Sequence, residues 1–182
     1  PQVLDELGQL MDVLESRIDH IHQPLDCRPD APLQLHARYT RPEILMALGE
    51  TKVKTATSWR EGVKWMPEQK TDVFVFTLDK SGKRFSPTTR YRDYAVSPRI
   101  IHWESQSTTS AASPTGTRYQ QHVQQGSIVL LFARLSPDDR AFWFLGPARY
   151  LSHQGERPMA IHWELEEPLP GDLFQAFGAA VA

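Results

Sequence analysis

The most constraining feature of this sequence is a series of short β-type segments that begins near Trp59 and continues almost to the C-terminus. Each is rich in β-branched and aromatic residues and is bounded by turn signals, which is the pattern of a strand. The segments are GVKWM, DVFVFTL, RIIHWES, SIVLLFARL, AFWFLG, ARYLSH and MAIHWEL. About seven such strands with a few small helices predict a mainly β domain with α decoration (α+β), either a closed or nearly closed β-barrel or a sandwich.

The tetrapeptide Ile-His-Trp-Glu occurs twice, at 101–104 and 161–164. Alternation along a strand sends Ile and Trp to one face and His and Glu to the other. Trp103 and Trp163 are therefore expected to be core residues. Two His and two Glu without a supporting cluster do not make a metal centre, so the repeat predicts two strands with the same burial pattern.

An amphipathic helix with a narrow seam of apolar residues is predicted over residues 1–23. Such a helix needs a partner surface, which its own domain, a second copy or a neighbouring domain could provide. The next stretch, QPLDCRPDAPLQ, contains three prolines, so residues 24–38 are predicted to be a linker and residues 39–182 the β domain. Because the chain starts at Pro1, we expect a piece of a longer polypeptide with the helix at the junction.

Three further helices have terminal signals. Thr40 and Glu43 form a capping box ahead of a helix that should end at Gly49. Ser113 and Pro114 have the chemistry of an N-cap and a first turn, and PGDLFQAFG predicts the last helix.

The composition excludes several kinds of protein. No apolar run approaches the roughly 20 residues that span a bilayer, and no signal peptide opens the chain, so we expect a cytoplasmic protein without membrane contact. The single cysteine, Cys27, allows no internal disulfide and leaves too few thiols for a structural zinc site. We expect neither a metal nor a cofactor.

Charge is unevenly distributed along the chain. Residues 1–37 carry net charge −5, residues 38–99 carry +6, and residues 100–182 carry −3. A basic centre between acidic flanks is what one face of a DNA-binding module would leave in a sequence. Uneven solvated charge without a partner is the alternative.

The basic centre overlaps a stretch from Ser81 to Tyr119 that is rich in arginine, hydroxyl and aromatic residues. Cations and hydroxyls contact phosphates, aromatic rings stack on bases, and carboxylates or amides read base edges. The predicted DNA-backbone contacts are Lys83, Arg84, Ser86, Thr88, Thr89, Arg90, Arg92, Thr108 and Arg118. The predicted base pocket has walls from Tyr91, Tyr94 or Trp103, and Trp103 can serve as a wall only if its strand ends at the pocket. The predicted edge readers are Asp93, Glu104, Ser105 and Gln106. A long surface loop whose hydroxyls satisfy themselves in turns is the alternative.

Four stretches, FSPTTRYRDYAVS, IHWESQSTTSAASPTGTRY, SWREGV and FLGPARYLSHQGERPM, resemble a bacterial domain-of-unknown-function family, roughly from Tyr39 to Leu173. That family lies at the C-terminus of large proteins that join a phospholipase-D-type nuclease to a superfamily-two helicase motor. Some of those proteins are type IV restriction enzymes that cleave DNA bearing modified cytosine.

The resemblance implies a non-enzymatic target-recognition domain that binds double-stranded DNA carrying a modified base, by flipping that base into a pocket of an SRA- or PUA-like barrel. Nuclease and helicase domains of the parent chain would be its partners, and a dimer is possible. Two alternatives stay open. One is a small nucleic-acid-acting enzyme that uses His102 and Glu104. The other is a non-catalytic coupling or dimerisation module that uses the first helix.

Overall fold

The computed structural model describes residues 2–15, 23–25, 28–78 and 93–181. The helices are α1 (Gln2–Glu15), α2 (Arg41–Ala47), α3 (Val53–Ser58), α4 (Pro114–Gln121) and α5 (Gly171–Val181). The strands are β1 (Gln23–Pro24), β2 (Gln34–Leu35), β3 (Arg38–Thr40), β4 (Val63–Met66), β5 (Thr71–Thr77), β6 (Tyr94–Ala95), β7 (Ile100–Glu104), β8 (Ile128–Arg134), β9 (Ala141–Gln154) and β10 (Ala160–Leu165).

The described strands from β3 onward form one eight-stranded sheet, and β1 and β2 form a separate two-stranded ribbon. The order in the main sheet is β4-β5-β8-β9-β10-β7-β6, with β3 paired to β9. Only β5 and β8 are parallel among these pairs. The prediction of a mainly β domain with helices is confirmed. The sheet is open in the described residues, however, because the end strands β4 and β6 do not pair with each other. The end strand β6 has only two residues. This open sheet corrects the expected barrel.

The segments AFWFLG and ARYLSH, predicted as two strands, form the single strand β9. Its first half pairs with β8 and its second half with β10, so it connects the two halves of the sheet. Gly146 lies at the junction with φ of 102°, and an added Cβ there would lie 2.7 Å from a methyl group of Leu35. Glycine is favoured at this position because side chains rarely adopt this positive φ, and a Cβ would also displace the Leu35 methyl group.

Apolar layers cover both faces of the central strands. On one face Phe74, Trp103 and Trp163 pack with Tyr119 of α4 and Phe177 of α5. The other face is covered by α2 and by residues from the N-terminal third, with Leu33, Ile44, Trp59, Phe132 and Phe142 in the cluster. All seven residues of β5 are buried, as expected for a strand covered on two sides.

The segment 24–38, predicted as a linker, contributes to the second layer. Leu25, Leu33 and Leu35 are buried there, and Leu35 is part of the β1–β2 ribbon. Leu25 lies between the first two prolines of the segment, and Leu33 and Leu35 follow the last one. These leucines give the segment enough apolar surface to pack on the sheet.

Helix α1 confirms the helical pattern over Gln2–Glu15, whereas residues 16–22 of the predicted helix lie outside the described residues. Its side chains from Val3 to Val13 are exposed, including four large apolar ones at Leu4, Leu7, Leu10 and Met11. None of the helices in the described part of the chain combines the length and apolar character that a bilayer crossing requires.

The predicted helix starts are confirmed. The Glu43 carboxylate accepts from the Thr40 N–H at 2.7 Å, which is half of a capping box. The Ser113 hydroxyl accepts from the Gly116 N–H at 3.1 Å and donates to the Ser110 carbonyl at 2.6 Å. These bonds hold α4 against the loop that precedes it.

Substituting Gly116→Ala should lower the free energy of unfolding by about 1–3 kcal/mol, because the new methyl group would overlap the Ser110 carbonyl. Gly178→Ala in α5 is the matched control. No atom lies within 4 Å of its added methyl, so the helix should gain up to about 1 kcal/mol. Chemical denaturation of both variants measures the difference. Equal effects of the two substitutions would contradict the close packing of α4.

The buried ring of His122 should make the free energy of unfolding depend on pH. Its Nε2 accepts from the Tyr150 N–H at 3.1 Å, and its Nδ1 donates to the Ser127 carbonyl at 3.3 Å, so the ring is held neutral. Burial lowers the pKa of His122 below the ordinary 6.5. The unfolded chain therefore binds the proton first, and stability present above pH 6.5 is lost as the pH falls below it. Denaturation at several pH values should show a shallower decline in His122→Gln than in the wild type, and identical slopes would contradict this role.

Candidate nucleic-acid interface

The solvent-facing side of β6, β7, β10 and β9 carries a row of four side chains. Tyr94 pairs with His102, His102 with His162, and His162 with Ser152 in the register of the sheet. The Tyr94 and His102 rings are stacked, with centroids 4.6 Å apart and an angle of 13°. The His102 and His162 rings meet edge to face at 5.4 Å, and Ser152 Oγ is 3.5 Å from His162 Nδ1. We call these four residues the ring row.

The ring row faces outward because of strand alternation. Ile101 and Trp103, the neighbours of His102, point into the core, as do Ile161 and Trp163 on either side of His162. The three rings of the row are half-buried rather than covered. The predicted split of the Ile-His-Trp-Glu repeat between two faces is therefore confirmed for both copies.

Glu104 lies two residues beyond His102 on the same face and is half-buried. Its backbone N–H donates to the Asp93 carboxylate at 3.0 Å. Asp93, which is 3% exposed, thus fixes the end of β7 next to the start of β6. Of the predicted edge readers, Glu104 lies on the surface beside the ring row, whereas the Asp93 carboxylate is buried beneath it.

Ser105 and Gln106 shape the loop that leaves β7. The buried Ser105 hydroxyl accepts from the Met159 N–H at 2.9 Å and donates to the Gln106 carbonyl at 3.2 Å. The Gln106 carbonyl also accepts from the Thr109 N–H at 2.9 Å, and Thr108 is exposed. Ser105 therefore joins this loop to β10 and does not face solvent, and its hydroxyl bonds to backbone groups.

Trp103 is on the face opposite the ring row. It is 4% exposed, and its ring centroid is 4.6 Å from that of Phe74 and 5.9 Å from that of Tyr119. The expectation that Trp103 is a core residue is confirmed. Trp103 and Tyr94 lie on opposite faces of the sheet, so the structure does not bring these two predicted wall residues together.

Arg118 makes a bidentate ion pair with Asp72, with nitrogen–oxygen distances of 2.7 and 2.9 Å. Its guanidinium carbon lies 4.5 Å from the centre of the Trp65 ring, and the Asp72 side chain is fully buried. A guanidinium held in this way stabilises the junction of α4 with β5. The structure thus gives Arg118 a partner inside the protein in place of the predicted phosphate.

The remaining predicted contacts lie outside the described residues. They are Lys83, Arg84, Ser86, Thr88, Thr89, Arg90, Tyr91 and Arg92. They belong to residues 79–92, which hold five basic residues and one acidic residue and connect β5 to β6. The chain therefore passes from this basic segment through Asp93 directly into the ring row at Tyr94.

The sequence indicated His102 only as a residue of the alternative enzyme, and it indicated neither His162 nor Ser152. The repeated tetrapeptide placed each histidine on an outer face, but only the pairing of β7 with β10 brings the two rings together. Across the described residues, no group of three His, Cys, Asp or Glu side chains is arranged to hold a metal ion.

Replacing Arg118 by Met should lower the free energy of unfolding by about 3–5 kcal/mol, because the Asp72 carboxylate would stay buried without its partner. The double substitution Arg118→Met with Asp72→Asn removes both charges and should cost clearly less than the single change. Denaturant titration of Arg118→Met, of Asp72→Asn and of the double variant makes the comparison. A double variant as unstable as the sum of both single changes would contradict the ion pair.

The chain was compared with known proteins by sequence. No curated protein matches it significantly. A family model described as a domain of unknown function (DUF3427) matches residues 33–177, a range that contains the stretch from Tyr39 to Leu173 in which the sequence resembles such a family. Because this match spans most of the chain, the protein belongs to the DUF3427 family.

Proposed function

We propose that this chain is a DNA-binding target-recognition domain that reads modified cytosine, in the first place methylated cytosine, in double-stranded DNA by base flipping. It would act in the cytoplasm as part of a type IV restriction system. The observation that carries the proposal is the outward-facing ring row that begins two residues after the basic segment 79–92.

The ring row has the chemistry that an unstacked base needs. Aromatic and imidazole rings on a sheet surface stack with bases, and each stacked base contributes about 1–3 kcal/mol. Beside the row, the Glu104 carboxylate has no hydrogen-bond partner among the described residues and could accept from the N4 amino group of cytosine. The five basic residues of 79–92, which precede the row in the sequence, would supply phosphate contacts.

Recognition of a methyl group involves only a small difference in binding free energy. Burying one methyl contributes about 0.8 kcal/mol, so easier extrusion of the target base and a closely fitting site must provide the rest. DNA cleavage and ATP hydrolysis would lie in nuclease and helicase domains of a parent chain. The exposed apolar side chains of α1 support a junction with such a neighbour. The proposed base flipping is analogous to that of SRA- and PUA-like modules.

Competition binding with three duplexes tests the proposal. The duplexes differ only at one cytosine, which is unmodified, methylated or hydroxymethylated. Preferential binding of a modified duplex is expected. Equal affinity for all three would contradict a reader of modification, and a steep salt dependence with equal affinity would identify a general DNA-binding domain.

Single substitutions locate the contact surface. Tyr94→Ala and His102→Ala should each weaken binding of the preferred duplex by about 5- to 100-fold, which corresponds to loss of one stacked base. His153→Ala is the matched control, since His153 pairs with Ile161 and bonds to the Tyr150 hydroxyl at 2.6 Å, away from the row. Binding that depends on His153 as strongly as on His102 would contradict the assignment.

A nucleic-acid-acting enzyme is the second candidate, because His102 and Glu104 share one face of β7. General acid–base chemistry requires such a pair in reach of a substrate. Incubation of the chain with end-labelled duplex and single-stranded DNA separates the two functions. Strand cleavage or base release that His102→Ala abolishes would favour the enzyme, and unchanged DNA favours the reader.

A further inference from the structure

Three arginines converge at another part of the molecule, around Trp59 and Phe142. Arg41 is the first residue of α2, Arg60 follows Trp59, and Arg134 ends β8. We call these three arginines the arginine cluster. None of them was among the residues singled out by the sequence as a DNA contact.

Two guanidinium groups of the cluster approach one ring. The guanidinium carbon of Arg41 lies 5.3 Å from the centre of the Phe142 ring, and that of Arg134 lies 4.8 Å from it. Arg41 is also 5.5 Å from the centre of the Trp59 ring. Aromatic faces attract cations, and here they hold two like charges close together.

Carboxylates do not neutralise these guanidinium groups directly. Arg41 donates to the Glu61 carbonyl at 3.4 Å, and Arg60 donates to the carbonyls of Thr57 and Trp59 at 2.6 and 2.9 Å. Arg134 donates to the Thr77 hydroxyl at 2.8 Å and to the Asp139 carbonyl. Within the described residues none of the three makes a side-chain salt bridge.

Acidic side chains lie near the arginine cluster, but their carboxylates bond to other groups or do not bond directly to its guanidinium groups. The Asp139 carboxylate pairs with Arg38 at 3.4 Å, and the Glu61 carboxylate accepts from the Arg60 backbone N–H at 3.2 Å. The charges of Asp139 and Asp138 both act on Arg134. Burial, together with the charges of Arg134 and Arg60, lowers the pKa of Arg41 to about 10.

Two buried donors at the cluster, one in Arg41 and one in the neighbouring Trp59, have no acceptor among the described residues. Arg41 Nε and Trp59 Nε1 make no hydrogen bond to any described residue. An unsatisfied buried donor costs about 1–3 kcal/mol, and such groups are rare in folded proteins. A bound oxyanion would accept from the guanidinium groups and offset the repulsion among them.

We propose that the arginine cluster binds a phosphate group of the DNA backbone. This inference rests on the proposed function for the identity of the ligand, while the donors and charges above indicate an oxyanion. The location agrees with it, because the Arg134 carbonyl accepts from the Leu78 N–H at 3.0 Å and Thr77 bonds to the Arg134 side chain. The cluster therefore lies where the chain enters the basic segment 79–92 and provides a phosphate contact held by the folded sheet.

The variant Arg41→Met removes the charge and keeps an unbranched side chain against Trp59 and Phe142. It should weaken duplex DNA binding by about 3- to 10-fold at low salt and reduce the slope of log affinity against log salt by about 1. Arg38→Met is the matched control. Arg38 also lies on a tryptophan, 4.3 Å from the centre of the Trp143 ring, but its charge is paired with Asp139. It should change affinity by less than about 2-fold, since a surface pair contributes little.

Measuring each variant with methylated and unmodified duplexes separates this inference from the proposed function. If Arg41→Met weakens both duplexes equally and the wild type does not discriminate, the phosphate site stands and the reader proposal fails. If the wild type discriminates but Arg41→Met binds like the wild type, the phosphate site is overturned.

The wild-type chain provides a test that does not depend on folding of a variant. In ¹⁵N NMR spectra, the Trp59 Nε1–H and Arg41 Nε–H resonances should shift on addition of pyrophosphate or of unmodified duplex DNA, and the Trp163 Nε1–H resonance should not. Movement with pyrophosphate but not with DNA would indicate a site for a free phosphate compound and overturn the DNA assignment. Resonances that stay fixed with both would overturn the anion site.

Discussion

Burial of the central strands on both faces is the constraint on which the rest of the structure depends. β5 and β8 are parallel, and α4 and α5 pack over one face while α2 and the N-terminal segment pack over the other. Since these strands are buried on both faces, their side chains must be apolar or paired, and the Asp72 carboxylate is paired through its two bonds with Arg118. Helices thus cover the middle of the sheet.

The outer face of β6, β7 and β10 carries half-buried rings that a flat ligand can approach. There the alternation that buries Trp103 and Trp163 turns Tyr94, His102 and His162 outward. Both proposals use this asymmetry. The ring row offers stacking surfaces to a base, and the arginine cluster at the end of β8 offers charge and unsatisfied donors to a phosphate. One ligand, a duplex with an extruded base, has both chemistries.

Local signals in the sequence predicted local structure well. Thr40 and Ser113 predicted helix starts, and the structure has helices that begin right after them. The alternation in both Ile-His-Trp-Glu copies predicted which side chains of the same four residues are buried. Pairings across the chain were beyond such reasoning. Arg118 and Asp72 are 46 residues apart, so a cation expected to face DNA could not be recognised as half of an ion pair. In the same way, the prolines before Leu33 indicated a linker, although Leu25, Leu33 and Leu35 are core residues.

The central claim is that the ring row contacts DNA, and the histidine ring resonances of the whole chain test it most directly. Proton NMR during titration with a duplex carrying one methylcytosine follows His102 and His162 against the buried His122, each assigned by single substitution. The account predicts that the rings of His102 and His162 shift together with saturation of binding, and that His122 does not. DNA binding that leaves both row histidines unshifted would contradict it.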